Sequence, residues 1–231
     1  DTALMAERSF TSAAAHELRS PVASVAARLD GLLQRGDLPQ DARDQLGAVR
    51  AEAARLARVS GQLLLLARLD RAAAGESFAT AAVDLEELAR DAADSLQPAA
   101  AAEQAAIAIT ADKDVNVRGH EEWLLRAVYN VLGNAIKFTA PHTRIEIHIA
   151  HTADRKRITL SVGDQGPGIP PAERRRVFER FYRGSGAQSA EGTGLGLAIV
   201  ADIVRAHKGE VFVSAGPGGR GAVITLILPR A

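Results

Sequence analysis

Apolar residues in the first part of the chain recur with the spacing of helices that pack side by side. From residue 15 to residue 32, and again from residue 46 to residue 67, they follow alternating steps of three and four. This heptad repeat is typical of coiled helices, and the Gly-Asp-Leu-Pro segment at 36–39 is typical of a turn between them. The pattern predicts an antiparallel helical hairpin over residues 1–70. Its seam positions are Ala15, Leu18, Val22, Val25, Leu29 and Leu32, then Leu46, Val49, Ala53, Leu56, Ser60, Leu63 and Ala67.

A hairpin of two helices cannot bury both sides of its apolar stripes alone. Two copies that pair into a four-helix bundle would cover them, so we predict a homodimer. The alternative is that another domain of the same chain covers the stripes. The dimer is favoured because the rest of the sequence has the pattern of a self-sufficient domain.

Beyond the hairpin the pattern changes twice. Residues 71–82 show no periodicity and are interpreted as a linker, whereas residues 83–231 mix helical and strand patterns, which predicts an α/β sandwich. Strands are expected at 107–110, 115–118, 145–150, 157–162, 211–214 and 222–228, with a glycine-rich turn at 216–221. Helices are expected at 84–104, with a stop near Pro98, and at 121–137 and 195–207.

The composition limits the chemistry more than the fold. The 231 residues carry 28 Lys and Arg against 28 Asp and Glu, and no Cys. Balanced charge gives no general attraction to nucleic acid, and the lack of Cys excludes disulfides, thiolate zinc sites and a cysteine nucleophile. No apolar run approaches about 18 residues, so we expect no membrane span here. Because the helical pattern is already under way at residue 1, we interpret the chain as a piece of a longer protein.

A histidine stands beside the seam of the first predicted helix. Residues 16–21 read His-Glu-Leu-Arg-Ser-Pro, and His16 follows the seam residue Ala15, which turns its ring toward solvent. Imidazole is a good nucleophile near neutral pH and accepts phosphoryl groups, and Glu17 can orient it or take its proton. Pro21 removes a helical hydrogen bond, so we expect a bend there. The alternative is an ordinary surface histidine.

A polar stripe is predicted on the helix at 121–137. Asn130, Asn134 and Lys137 are four and three residues apart, which places them on one helical face. Two amide oxygens and an ammonium group suit Mg²⁺ with bound phosphates. The alternative is a face that is merely solvated.

Two glycine motifs and an arginine-rich segment follow. Asp164 comes directly after a strand, where it can accept from an exocyclic amine, and Gly166 and Gly168 allow a ring to approach, although a simple turn is the alternative. A Gly-x-Gly-x-Gly run at 192–196 opens a helix and forms an anion cradle. Between them, 173–183 holds five Arg against two Glu, and 182–193 is rich in Gly, Ser and Ala and is expected to be mobile. Together they indicate a mobile basic lid over a polyphosphate; a nucleic-acid patch or a solvated face is the alternative. The other histidines show no ligand-like neighbours.

In order along the chain, these motifs resemble the sensor histidine kinases of bacterial two-component systems. Residues 16–21 resemble the H box, 130–139 the N box, 164–168 the G1 box, 178–183 the F box and 192–196 the G2 box. The resemblance covers essentially the whole chain. It implies an α+β multidomain protein: a dimerisation and histidine-phosphotransfer hairpin (1–70), a linker (71–82) and an ATP-binding domain of the Bergerat (GHKL) type (83–231).

The resemblance also implies roles for individual residues. His16 would be the phosphoacceptor and Glu17 its helper, while Asn134, with Asn130, would hold Mg²⁺. Asp164 would bind the adenine amine in a pocket that Gly166 and Gly168 shape. The remaining ATP-binding residues would be Lys137 and Arg183 at the phosphates, Gly192, Gly194 and Gly196 at the phosphates and the lid hinge, Phe178 and Phe181 as lid anchors, and Arg180, Thr193 and Leu195.

The implied function is ATP-dependent autophosphorylation of His16 and transfer of the phosphoryl group to an aspartate on a response-regulator receiver domain, in the cytoplasmic portion of an inner-membrane sensor. Ser20 stands where the family usually has Thr or Asn, which leaves a phosphatase activity toward the regulator open. His120 stands where an Asp is common. A silent dimerisation scaffold should lack one of the boxes, and an ATP-hydrolysing relative needs a glutamate where Asn130 stands, so an active kinase is favoured. No nucleic-acid partner is expected.

Overall fold

The structure is a computed structural model that describes residues 24–35, 38–185 and 192–231. Within it the chain divides between Arg71 and Ala72 into two compact units. The expectations for His16, Glu17, Ser20 and the bend at Pro21 lie outside the described residues and stay predictions.

The first unit contains two helices of the predicted hairpin. Residues 24–33 are helical (α1), and α2 spans Gln40–Ala73. A salt bridge between Arg50 and Asp30 joins the two helices, which confirms that they lie side by side.

Ala15, Leu18 and Val22 lie outside the described residues, and of the described seam positions Leu46 and Leu63 are half-buried. The other described seam positions fall into two sets. One set is buried and consists of Leu29, Ala53, Ser60 and Ala67. The other set is between 39% and 52% exposed and consists of Val25, Leu32, Val49 and Leu56. The heptad repeat therefore places part of the seam inside the unit and leaves an apolar stripe on its surface.

The strands of the second unit are β1 Ala81–Asp84, β2 Ala106–Ala111, β3 Asn116–Gly119, β4 Arg144–His151, β5 Arg157–Gly163, β6 Glu210–Ala215 and β7 Ala222–Pro229. Five of them form a mixed sheet in the order β2-β4-β5-β7-β6. β2 pairs with β4 in parallel, and the other neighbours are antiparallel. A separate antiparallel pair is formed by β1 and β3.

Three helices cover one face of the sheet. They are α3 Leu85–Ala102, α4 Glu121–Phe138 and α5 Gly196–Ala206, with short 3-10 turns at Arg176–Phe178 and Pro217–Gly219. Along β4 and β5 every second residue is buried, and the apolar faces of α3, α4 and α5 are buried as well. The helices contact one another in the order α3, α4, α5, so the core of the unit lies between this layer and the sheet. The predicted sandwich is confirmed.

Some element boundaries differ from expectation. The prediction that the helix stops near Pro98 was wrong, because α3 continues through this residue to Ala102. Pro98 and Asp94, whose carbonyl loses its helical donor, are both exposed, so water can replace the missing bond. The predicted linker is shorter in the structure: α2 runs to Ala73 and β1 begins at Ala81. In the described residues, no helix combines the length and apolar content that crossing a bilayer requires.

The second unit contains an aromatic cluster that was not predicted from the sequence. Phe78, His120 and His207 surround Trp123, and the rings of His120 and Trp123 stack with centroids 4.7 Å apart. The His120 backbone N–H donates to Nε2 of His207 at 2.9 Å, so His207 carries its proton on Nδ1 and donates it to the Ile203 carbonyl at 2.7 Å. His207 thus links the start of α4 to α5. The sequence alone did not show that two histidines 87 residues apart meet here.

We predict that this cluster makes the second unit sensitive to acid. Burial lowers the pKa of His207 below its ordinary value of 6.5; the hydrogen bond to the Ile203 carbonyl acts against this shift and the neighbouring His120 ring acts with it. The unfolded chain therefore binds the proton first, and stability is lost as the pH falls below about 6.5 toward the folded pKa. In urea unfolding followed by fluorescence of the single Trp, the stability of the wild type should fall between pH 7 and pH 5. The His207→Asn variant should be less stable at pH 7 by about 1–2 kcal/mol, because it loses one buried hydrogen bond, but should depend less on pH.

The matched control is His142→Asn, which removes an exposed histidine at a positive φ that asparagine tolerates. It should keep the pH dependence of the wild type. An equal pH dependence in wild type and H207N would contradict the role given to His207.

Candidate functional site

The polar stripe of α4 is held outward by the burial of its opposite face. Val128, Val131, Leu132 and Ala135 are buried, whereas Asn130 and Asn134 are half-buried and Lys137 is exposed. Nδ2 of Asn130 is buried and has no hydrogen-bond partner among the described residues. Buried polar atoms are normally partnered, so this amide faces a place that suits a bound group. A half-turn of the amide exchanges its oxygen and nitrogen, and Asn130 can therefore present either atom there.

The glycine run at 192–196 lies along this stripe. A Cβ on Gly196 would stand 3.6 Å from Oδ1 of Asn130, and a Cβ on Gly192 would stand 3.2 Å from Nζ of Lys137. Gly194 has φ +69°, and a Cβ there would come within 2.7 Å of the Phe181 carbonyl carbon. Gly194 is therefore required, both because the Phe181 backbone packs against it and for its torsional freedom. A Cβ on Gly196 would make only an ordinary contact, and one on Gly192 would meet the end of the flexible Lys137 side chain.

The glycine run at 192–196 leads into α5, and the uncapped start of this helix suits an anion. Oγ1 of Thr193 accepts the N–H of Leu195 at 3.3 Å, and the Leu195 side chain is fully buried. No side chain in the described part of the chain caps α5. The N–H groups of its first turn are thus available beside Asn130, and a helix N-terminus carries a partial positive charge.

Asp164 lies where β5 ends and is half-buried. One of its oxygens, Oδ1, accepts the backbone N–H groups of Gly166 at 2.9 Å and Ala222 at 3.3 Å. Burial raises the pKa of Asp164 above its ordinary value, and the two hydrogen bonds act against that rise. The backbone thereby fixes the carboxylate, and Oδ2 keeps its capacity to accept from a ligand.

The loop of Asp164 is joined to the end of α4. The Gln165 N–H donates to Oγ1 of Thr139 at 3.3 Å, and a Cβ on Gly166 would collide with the Phe138 carbonyl. Gly168 has φ +76°, and a Cβ there would lie 2.7 Å from the Gly221 carbonyl oxygen. The carboxylate is therefore fixed near the end of the helix that also carries Lys137. Thr139 belongs to the predicted N box, but its contact with this loop was not foreseen.

The arginine-rich segment is tied down at several points. Arg180 donates to Asp202 of α5 at 2.8 Å, the Arg176 guanidinium lies 4.5 Å from the centre of the Tyr182 ring, and Glu173 accepts the Ser185 N–H at 3.2 Å.

The two phenylalanines of this segment differ from each other. Phe178 is half-buried in its 3-10 turn, as a lid anchor would be. Phe181 was expected to be an anchor too, but its side chain is 63% exposed. With φ +63° at this residue, it is the Phe181 backbone that packs against Gly194. Arg183 is exposed two residues further on.

The structure therefore brings the predicted motifs of the second unit to one place, around α4. A fixed carboxylate acceptor lies toward one end of the stripe, and an ammonium group and an uncapped helix N-terminus lie along it. The arginine-rich segment contacts α5 and Gly194. The carboxylate suits an amine donor and the positively charged groups suit phosphates, so the arrangement fits a nucleotide. The described residues contain no group of three or more His, Cys, Asp or Glu that could hold a metal. A divalent ion at this site would need the amide oxygens of α4 together with oxygens of the ligand.

Comparison with known proteins agrees with this geometry. The family model of histidine kinase-, DNA gyrase B- and HSP90-like ATPases matches residues 119–231. The model of the phospho-acceptor domain of histidine kinases matches residues 6–72.

Individual relatives are similar along most of the chain. The sensor protein kinase PmrB of Pseudomonas aeruginosa is 37% identical, over 99% of this chain and 47% of its own length. The signal transduction histidine-protein kinase/phosphatase MprB of Mycolicibacterium smegmatis is 35% identical, over 95% of this chain and 45% of its own length. The chain thus spans about half the length of the curated relatives it matches.

Solved structures of other proteins are also similar to this chain. Full-length ShkA in complex with AMPPNP is similar with a TM-score of 0.81 and 31% identity, over 96% of this chain and 46% of that one. The mycobacterial sensor histidine kinase MprB is similar with a TM-score of 0.59 and 35% identity, over 65% of this chain and 97% of that one.

Proposed function

Because this chain belongs to the sensor histidine kinases, we propose that it uses ATP to phosphorylate His16 and then passes the phosphoryl group to an aspartate on a response-regulator receiver domain. The observation that carries the proposal is the meeting of the Asp164 loop and the glycine run along the polar stripe of α4. The experiment that tests it is transfer of the γ-phosphate of ATP to the chain in an acid-labile form.

In this proposal each part of the site takes one part of the nucleotide. The adenine amine donates to Asp164, while Lys137, Arg183 and the first turn of α5 hold the phosphates. The fixed orientation of the Asp164 carboxylate supports the first contact. The closeness of Lys137 to Gly192 supports the second, because a cation and a helix N-terminus then act on the same phosphate chain.

Asn134 and Asn130 are the residues that would hold Mg²⁺. The fit rests on the half-buried amides and on the unpartnered Asn130 nitrogen, since amide oxygens are suitable ligands for a hard cation. When bound, the ion would neutralise charge on the phosphates.

The transfer itself needs only a nucleophile, charge stabilisation and position. A ring nitrogen of His16 attacks the γ-phosphorus in line, the bond to the bridging oxygen breaks, and ADP leaves. The other ring nitrogen then loses its proton to Glu17. Lys137 and Arg183 stabilise the charge on the equatorial oxygens. The chain carries no regular structure between Ala73 and Ala81, which supports a linker at 71–82 that lets the ATP-binding domain (83–231) reach the hairpin (1–70).

The hairpin would bind both protein partners, a second copy of the chain and the receiver domain. The exposed seam residues Val25, Leu32, Val49 and Leu56 support a homodimer, because a second copy would remove this apolar stripe from water. The receiver domain would dock on the same bundle, close to His16. We further propose that the chain is the cytoplasmic portion of an inner-membrane sensor; the name of PmrB as a sensor protein kinase supports the sensing role.

A phosphatase activity toward the phosphorylated regulator is a second candidate function. One relative, MprB, is named a kinase/phosphatase. Ser20 keeps a hydroxyl four residues after His16, and a hydroxyl can position a water molecule for attack on the regulator's phosphoaspartate.

We predict that Asn134→Ala lowers autophosphorylation by more than about a hundredfold, because it removes an oxygen ligand of the metal that neutralises the transferring phosphoryl group. The measurement is label incorporated from γ-labelled ATP at fixed Mg²⁺. Gln97→Ala, which removes an exposed amide from α3, is the matched control and should label normally. Normal labelling of N134A would refute the ligand assignment.

A further inference from the structure

Asp202 connects α5 to the arginine-rich segment. Its side chain is 14% exposed, and its two oxygens are both engaged: Oδ2 accepts from Arg180 at 2.8 Å and Oδ1 from Arg205 at 2.6 Å. Asp202 stands six residues after Gly196, on the helix whose first turn forms the proposed phosphate cradle. The sequence motifs gave this aspartate no role.

The bond from Asp202 to Arg180 differs from three other contacts of the segment, which join residues close together in the chain. Arg176 contacts Tyr182, Glu173 accepts from Ser185, and Arg174 donates to the Ile169 carbonyl. The contact with Asp202 instead ties the segment to α5. The tie is made one residue before Phe181, whose backbone packs on Gly194.

From this placement we propose that Asp202 is a positioning residue of the nucleotide site. By holding Arg180 it fixes this part of the arginine-rich segment, so that Phe181 stays against Gly194 and Arg183 is presented to the phosphates. This inference rests on the proposed function, because it takes the ligand to be a nucleoside triphosphate. It also changes the expectation for Arg180, which then acts through Asp202 and not as a direct phosphate ligand.

The two ion pairs of the Asp202 carboxylate favour such a role. A carboxylate that is mostly withdrawn from water and shared by two guanidinium groups is held more firmly than an exposed ion pair. Removal of its charge would weaken the tie between Arg180 and α5 and loosen this part of the segment, while the adenine pocket at Asp164 would stay intact. We therefore expect the substitution to weaken triphosphate binding more than it lowers the rate of phosphoryl transfer.

The test is a double-mutant cycle on the full 231-residue chain, with binding of AMP-PNP and of adenosine measured by titration. Asp202→Asn and Arg180→Gln should each weaken AMP-PNP binding by about three- to tenfold. The double variant should be no weaker than either single one, and adenosine binding should not change. In the kinase assay, KM for ATP should rise while kcat changes less, and Asp202→Glu should restore part of the affinity.

Arg205→Gln is the control, because it removes the other partner of Asp202 and leaves Arg180 in place. It should bind AMP-PNP like the wild type. Unchanged binding in D202N, or losses in D202N and R180Q that add in the double variant, would overturn the positioning role while leaving the kinase proposal intact. A wild type that binds no AMP-PNP would refute the kinase proposal itself, and the positioning role with it.

Discussion

Replacement of His16 by alanine is expected to abolish the transfer of label from γ-labelled ATP to the chain, by more than about a thousandfold. The physical reason is that phosphoryl transfer needs a nucleophile in line with the bond that breaks, and alanine supplies none. The chain has no Cys that could substitute. The six histidines of the sequence make the choice of His16 a specific claim.

The matched control is His148→Ala. His148 is an exposed histidine on β4 whose ring contacts Thr110 and Glu146, and its loss should leave labelling unchanged. H16A should still bind ATP, since none of the proposed nucleotide-binding residues is altered. Equal labelling of H16A and wild type would mean that another residue is the phosphoacceptor.

Replacement of Asp164 by asparagine is expected to weaken ATP binding by about a hundredfold, which follows from the loss of a charged acceptor and the arrival of an opposed donor. The amide oxygen can keep the two bonds from Gly166 and Ala222. The amide nitrogen then stands where Oδ2 stood, and it faces the adenine amine as a second donor. Binding energy is lost while the loop keeps its shape.

The stability of D164N separates this effect from misfolding. Because burial raises the pKa of Asp164 above 3.8, the charged form is disfavoured in the folded state. Stability therefore falls as the pH rises from 3.8 through the raised pKa, and asparagine removes that loss. At pH 7 the D164N variant should be at least as stable as the wild type, with nucleotide titration showing the weaker binding. Asp94→Asn, an exposed site on α3, is the control, and ATP binding by D164N equal to that of the wild type would contradict the adenine contact.

The parts of this structure that follow from periodicity could be predicted from the sequence. The polar stripe of α4 is an example, because a helix that buries Val128, Val131, Leu132 and Ala135 must turn Asn130 outward. The strand pair β4 and β5 was predicted for the same reason, since every second residue is apolar.

What could not be predicted depends on contacts between distant segments. Nothing in the local sequence shows that His207 meets the start of α4 or that Asp202 meets Arg180. β1 escaped prediction because only one of its four residues is buried, so it has no alternation to recognise. The F-box resemblance implies a lid anchor at Phe181 but does not show that the left-handed backbone here packs through the main chain and leaves the side chain exposed.

The measurement that tests the central claim most directly is the chemical stability of the label on the wild-type chain after incubation with γ-labelled ATP and Mg²⁺. A phosphoryl group on imidazole nitrogen is lost in acid and retained in alkali, whereas a serine or threonine ester survives acid. We predict a label that acid removes and alkali spares, carried by the tryptic peptide 9–19, in which His16 is the only histidine. A label that survives acid, or one found on another peptide, would contradict the assignment of this chain as a histidine kinase that phosphorylates His16.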